Sequence, residues 1–179
     1  MNLNFHIIYG DLLLEAADAI VNPANPKLSH GGGLSGAIYD AIKQTGDDNY
    51  VQFMQYITDI PVVNHERCAT GKAVWTPAPG LKYKGIIHTV GPVANDYNKN
   101  ELKTILISCY YNSMSLAEKK GYRVIAFPLI GAGIYECPKK LVAKSAMIAA
   151  SEFLKKHPND RSLHTIKLVV INEEDYNMF

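Results

Sequence analysis

Apolar positions along this chain follow two alternating rhythms. Short runs rich in β-branched and aromatic residues occupy positions 3–9, 19–21, 72–76, 83–90, 123–127 and 165–172, and each reads as a strand. Between them, positions 34–43, 101–120 and 139–156 carry apolar residues at three- and four-residue spacing, which predicts amphipathic helices. A further helix is expected over 47–58, where the period is less regular. Gly46 and Gly121 suit helix stops, Lys119 and Lys120 suit a last turn, and Asn100 is the expected N-cap of the helix that follows it. Residues 12–17 fit neither period, 61–68 and 94–100 read as loops, 158–160 as a turn, and the tail from Glu173 is acidic and then aromatic. Largely alternating strands and helices predict a three-layer α/β domain with a mostly parallel sheet.

Two predicted strands run into glycine. Positions 19–21 lead into Asn22-Pro23-Ala24-Asn25 and then His30-Gly31-Gly32-Gly33 before a helix begins, and positions 123–127 lead into Pro128 and Gly131-Ala132-Gly133. Three consecutive glycines are costly in backbone entropy. Their use is a backbone that turns sharply and lets N–H groups approach an anion. Strand, glycines and helix start is the geometry that binds phosphate. In a parallel sheet both loops lie at one edge, so they can meet across one cleft, and two such loops suit a diphosphate better than one.

Composition narrows this without redirecting it. A chain of 179 residues with 47% hydrophobic and 20% charged residues matches one ordinary globular domain over 1–179, with no repeat or linker. A net charge of +1 gives no electrostatic case for bulk nucleic-acid or membrane binding. Cys68, Cys109 and Cys137 are odd in number and widely spaced, which favours a reducing compartment and neither disulfides nor a structural metal. The first residues lack the basic and apolar regions of a signal peptide, and no apolar run approaches the ~20 residues of a membrane span, so a cytoplasmic location is expected.

Several side chains carry candidate chemistry, each beside a plainer reading. Asp11, after a strand and a glycine, can accept from an exocyclic amine or ribose hydroxyls, or can cap a turn. Asn22 and Asn25 have amides that both donate and accept, which suits ribose hydroxyls; turn chemistry accounts for Asn22 better than for Asn25. His30 can serve as a general base, a phosphate donor or a buttress of the loop. Ser35 can cap the helix or face ligand, and Tyr135 can stack on a sugar or belong to the core. His88, among apolar neighbours, reads as a core histidine; Cys68 has no nearby base; no Ser-His-Asp set is present.

Three segments in order resemble the macro domains that bind ADP-ribose. They are Gly10-Asp11 with Asp18-Ala19-Ile20-Val21-Asn22-Pro23-Ala24-Asn25 and His30 through Ile38, then Cys68-Ala69-Thr70-Gly71-Lys72-Ala73 through Gly91-Pro92, and Phe127-Pro128-Leu129-Ile130-Gly131-Ala132-Gly133-Ile134-Tyr135. The resemblance implies an α/β/α sandwich with a six-stranded, mostly parallel mixed sheet and ADP-ribose in a cleft at one sheet edge. By analogy Asp11 takes the adenine amino group, and Asn25 holds the distal ribose beside Gly31, Gly32 and Gly33. Ile130, Gly131, Ala132, Gly133, Ile134 and Tyr135 wrap the diphosphate, with Tyr135 against the distal ribose. The implied activity is hydrolysis of mono-ADP-ribosyl protein linkages or of O-acetyl-ADP-ribose, with Asn25 and His30 as the catalytic pair; the alternative is a non-catalytic reader. One enzymatic subgroup has Asp where this chain has Ser35 and His where it has Tyr39. No cofactor or metal is expected, the partner is ADP-ribose or an ADP-ribosylated protein, and a monomer is expected.

Overall fold

The structure of the protein, a computed structural model, describes residues 3–159 and 161–179. Met1, Asn2 and Asp160 lie outside, and with them the first two residues of the amino-terminal segment and the third of the turn expected at 158–160. Six strands form one sheet: β1 (Asn4–Tyr9), β2 (Ala19–Pro23), β3 (Ala73–Thr76), β4 (Gly85–Thr89), β5 (Val124–Phe127) and β6 (Thr165–Val170). Their order is β1-β6-β5-β2-β4-β3, parallel throughout except for β3, which runs antiparallel along the outer side of β4. The helices are α1 (Gly33–Gln44), α2 (Asp47–Asp59), α3 (Lys99–Lys119), α4 (Lys139–Lys156) and α5 (Glu173–Asn177).

Strand alternation divides the core. Ala19, Val21, Ile87, Ile125, Phe127, Ile166 and Leu168 point to one face, where Leu106, Met114, Ala146 and Phe153 of α3 and α4 cover them. Ile20, Ile86, Ala126 and Val169 point to the other, under Ile38, Ile42, Phe53 and Ile57 of α1 and α2. Both faces are therefore covered, and the buried β2 and β4 carry the apolar runs Ala19-Ile20-Val21 and Ile86-Ile87, with Asn22, His88 and Thr89 buried beside them.

One helix end and one further helix differ from expectation. α3 is capped by Asn98 and not by Asn100: the Asn98 side chain accepts the Asn100 and Glu101 amides at 3.0 and 3.1 Å, and Glu101 Oε2 accepts the Asn98 amide at 2.8 Å. A reciprocal box needs a carboxylate three residues after the cap; Asn98 has Glu101 there, whereas Asn100 would have Lys103. The acidic tail forms α5, with the Asn172 side chain accepting the Asp175 amide at 2.8 Å and Glu173, Glu174 and Asp175 in the first turn, where the helix dipole favours negative charge. Among the described residues no helix is long and apolar enough to cross a membrane, and no group of three or more His, Cys, Asp or Glu could hold a metal ion.

Candidate functional site

β2 pairs with β4 over all five of its residues but with β5 only at Ala19 and Ile20. Beyond Ile20 the two strands therefore part. The chain leaves β2 toward α1 on one face of the sheet and leaves β5 toward α4 on the other. This is the topological switch point of an open parallel sheet, where a crevice opens at the strands' C-terminal edge. A cavity of about 350 Å³ lies there, bounded by Pro23, Ala24, Asn25 and residues 31–35 on one side and by Pro128, Leu129, Gly131 and residues 133–135 on the other, with Gly91 between.

The first loop is held from within. Asn25 Oδ1 accepts the Ser29 amide at 3.2 Å and the Ser29 hydroxyl at 3.3 Å, while Nδ2 donates to the Ser29 carbonyl at 3.0 Å. Leu28 is buried with φ 54°, a left-handed conformation uncommon for a branched side chain. The buried Tyr39 hydroxyl donates to the Leu28 carbonyl and stabilises that turn. Burial pushes the Tyr39 phenol well above its ordinary range, so it serves as a neutral donor. His30 Nε2 lies 3.0 Å from Asp40 Oδ1, and its ring stands edge-on to Tyr39 at 5.6 Å.

The loop then enters α1 without a side-chain cap, because Gly32 occupies the cap position. Among the described residues the amides of residues 31–35 donate to no protein acceptor. They form an unfilled run of donors at a helix start, with the positive end of the helix dipole behind them. Close packing fixes their position. A Cβ on Gly36 would lie 2.5 Å from the Gly31 carbonyl oxygen. Gly36→Ala is expected to destabilise the protein by about 1–3 kcal/mol, read as a lower denaturation midpoint, because Gly31 must move; an unchanged midpoint would show that the loop is not seated on α1.

The second loop is organised similarly. Gly131 has φ 75°, and a Cβ there would meet Cys137 Sγ at 3.0 Å. Its carbonyl accepts the Cys137 amide, and the Gly133 carbonyl accepts the Glu136 amide, each at 2.9 Å. The Tyr135 carbonyl accepts the Ala94 amide at 2.8 Å, which ties the loop to the segment before α3. The amides of Gly131, Gly133, Ile134 and Tyr135 donate to no acceptor among the described residues. Ile134 is 74% exposed, yet its Cδ1 lies 3.0 Å from where a Gly32 Cβ would stand, so it bridges the loops over the cavity. Two sets of free amides on loops that line one cavity suit an anion, and a diphosphate in particular.

The cavity lining contains no carboxylate, histidine or lysine; its polar side chains belong to Asn25, Ser35 and Tyr135. Burial raises the Tyr135 phenol, which makes it a donor and not a base.

The structure brings together Asn25, Gly31, Gly32, Gly33, Ser35, Gly131, Gly133, Ile134 and Tyr135. It does not bring Asn22, which is buried in β2 opposite His88, with Nδ2 3.0 Å from His88 Nδ1. Ile130 is likewise displaced: its side chain is buried and its amide donates to Tyr110 Oη at 3.1 Å. The Ala132 amide donates to the Leu129 carbonyl at 3.2 Å, so neither amide is free for a ligand. His30 is outside the lining and engaged with Asp40. Ser35 lines the cavity, but its hydroxyl is buried with no partner among the described residues, near Gly31. Asp11 is at the same sheet edge, after β1, and its Oδ1 accepts the Leu13 amide at 2.9 Å, capping the 3-10 turn Leu12–Leu14. Tyr39, which latches the first loop, and Gly91, where a Cβ would meet Ile130 Cγ2 at 3.0 Å, are not among the residues expected at the site.

The Macro domain family model matches residues 21–146. The O-acetyl-ADP-ribose deacetylase of Citrobacter rodentium is 37% identical over 166 residues, covering 93% of this chain and 89% of that protein. The enzyme of the same name from Escherichia coli K12 is 35% identical over 179 residues, covering 100% and 94%. Among solved structures, a glycine-to-valine mutant of the Oceanobacillus iheyensis macrodomain with ADPR superposes with a TM-score of 0.82 at 31% identity, covering 99% of this chain and 92% of that one. The Trypanosoma brucei macrodomain in complex with ADP-ribose gives 0.79 at 28% identity, covering 97% and 66%.

Proposed function

The chain belongs to the macro domain family, and from that membership we propose that it binds ADP-ribose in the switch-point cleft and hydrolyses linkages to the distal ribose. The substrates are O-acetyl-ADP-ribose and proteins carrying mono-ADP-ribose on a carboxylate. The observation that carries this reading is the pair of glycine loops that line one cavity, each with unused amides, and Asn25 on its wall.

The residues divide the work between binding and orientation. The amides of residues 31–35 and of Gly131, Gly133, Ile134 and Tyr135 hold the diphosphate. Asp11 receives the adenine amino group on the oxygen that Leu13 leaves free. Asn25, whose Nδ2 keeps one hydrogen beyond the bond to Ser29, orients the distal ribose, with Tyr135 packed against it. His30 positions the loop through Asp40, and Asn22 and Ile130 support it from below.

In ester hydrolysis a water oxygen bonds to the acyl carbon and the bond to the ribose oxygen breaks. The acid departs as carboxylate and the ribose oxygen takes a proton. Since no carboxylate or histidine lines the cavity, a phosphate oxygen of the ligand takes the water's proton, and neutral donors stabilise the developing oxyanion. We take the chain as one monomeric domain over 1–179 acting in the cytoplasm; its three cysteines are free and buried, in keeping with a reducing compartment.

Incubation with O-acetyl-ADP-ribose, and in parallel with a glutamate-linked mono-ADP-ribosyl protein, tests the reading. Acetate or free ADP-ribose is expected to appear above the uncatalysed rate. Calorimetric binding of ADP-ribose without turnover of either substrate would make the protein a reader, the reading that the lack of a basic side chain in the cavity favours.

A further inference from the structure

Positive charge gathers beside the cleft where helix electrostatics disfavour it. A second cavity, of about 640 Å³, lies between the starts of α3 and α4, and Lys99, Lys103, Lys140 and Lys144 line it over an apolar floor that includes Leu102 and Leu141. Each helix contributes an i, i+4 lysine pair, and like charges at that spacing repel. The first lysine of each pair, Lys99 and Lys140, sits in its helix's first turn, where the dipole already places positive potential, and Lys103 and Lys144 follow in the second. α4 has no acidic residue in its first turn; the single acid there in α3, Glu101, is occupied with the Asn98 amide. Lys139, by contrast, is paired with Asp175 at 2.6 Å, and among the described residues none of the four cavity lysines has an ion-pair partner. In a chain of net charge +1 this is a local concentration.

Its place relative to the cleft follows from the chain. Tyr135 lines the cleft and Pro138 lines the basic cavity, and three residues span at most about 10 Å. The segment entering α3 is also bonded to Tyr135 through the Ala94 amide. Both cavities therefore open at the same sheet edge, on either side of one short loop.

We propose that the four lysines bind the acidic segment of a protein whose ADP-ribosyl group occupies the cleft, so that the preferred protein substrate is modified within an acid-rich sequence. This rests on the ADP-ribose reading of the cleft. No aromatic side chain lines the basic cavity, so it offers no platform for stacking bases, which sets a single-stranded nucleic acid aside. Lysine ammonium groups on flexible stems suit carboxylates of variable position better than they suit planar, bidentate recognition.

The test is calorimetry with two peptides carrying ADP-ribose through a hydrolysis-resistant linkage, one with glutamates flanking the attachment site and one with glutamines. The wild type is expected to bind the acidic peptide about tenfold more tightly, the scale of a few exposed ion pairs acting together. Added salt should erase most of that preference. Lys140→Glu/Lys144→Glu should abolish the preference and leave free ADP-ribose affinity unchanged; if the reversal disturbs folding, Lys140→Gln/Lys144→Gln reads the same quantity. Equal affinity of the wild type for both peptides overturns the proposal, as does a preference that survives both variants. So does a single-stranded oligonucleotide that displaces the acidic flank at lower concentration than the flank itself. Free ADP-ribose that fails to bind would sink the cleft reading instead, and the unmodified acidic peptide, titrated alone at low salt, then tests the lysines by themselves.

Discussion

Asn25→Ala is expected to slow release of acetate from O-acetyl-ADP-ribose by about 100-fold or more. Two losses add. The alanine removes the amide that orients the distal ribose, and it removes all three bonds that close the loop onto Ser29. The diphosphate donors stay, because they are backbone groups seated on α1 and on the Gly131 turn. The variant should therefore lose kcat far more than affinity for ADP-ribose, which should weaken by less than about tenfold. Asn25→Asp separates the two losses. It keeps an acceptor for the Ser29 amide and hydroxyl but gives up the donor and sets a negative charge beside the diphosphate, so binding should fall further than in the alanine variant. Wild-type turnover by Asn25→Ala would remove Asn25 from the mechanism.

The contrast between Asn25 and Asn22 shows what the sequence can and cannot reveal. Both precede prolines in one short stretch, and their amide chemistry is identical. What separates them is register. Asn22 is still in β2, paired opposite His88, and its side chain is directed into the layer under α2. Asn25 stands past the last pairing, where the backbone has turned into the crevice. No local pattern reports which residue of β2 meets which residue of β4, since their separation of 66 positions is closed only by the fold.

The first glycine loop is legible because three consecutive glycines between a strand and a helix are costly unless used, and the second because a strand there ends in Pro128 and Gly131-Ala132-Gly133. The sheet is legible because burial on both faces produces apolar runs. The division of labour within the loops is not. Whether an amide is free depends on remote partners, such as the Tyr110 hydroxyl that takes the Ile130 amide from a helix 20 residues away. In the sequence Tyr39 stands out only as a departure from one enzymatic subgroup; its role depends on the left-handed turn at Leu28, which a leucine does not announce. The α3 cap is within reach of the sequence, because Asn98 and Glu101 have the spacing of a reciprocal box.

His88 makes acid stability the second large effect. The imidazole is buried between Asn22 Nδ2 at 3.0 Å and Thr76 Oγ1 at 2.9 Å, so it joins β2, β4 and β3 in one polar chain beneath Phe53. With Asn22 donating to Nδ1, the ring proton sits on Nε2 and goes to Thr76. A second ring proton would point at a donor. Burial pushes the ring down to about 3 from 6.5. The folded state therefore holds a neutral ring while the unfolded chain takes up a proton below 6.5, so stability is full above that value and falls with falling pH down to about 3. The slope approaches about 1.4 kcal/mol per pH unit, or roughly 2–3 kcal/mol between pH 6.5 and 4.5. Asp18 does not mask this. Burial would raise its carboxyl, but Lys84 and the Arg123 and Val124 amides hold it below 3.8, so its contribution is lost only under more acidic conditions. His88→Gln lacks the titration. Denaturant unfolding of both proteins should give a wild-type curve that drops by about that amount relative to the variant across the interval. Parallel curves would mean that the ring takes a proton without leaving its place, and that the polar chain from Asn22 to Thr76 does not hold it neutral.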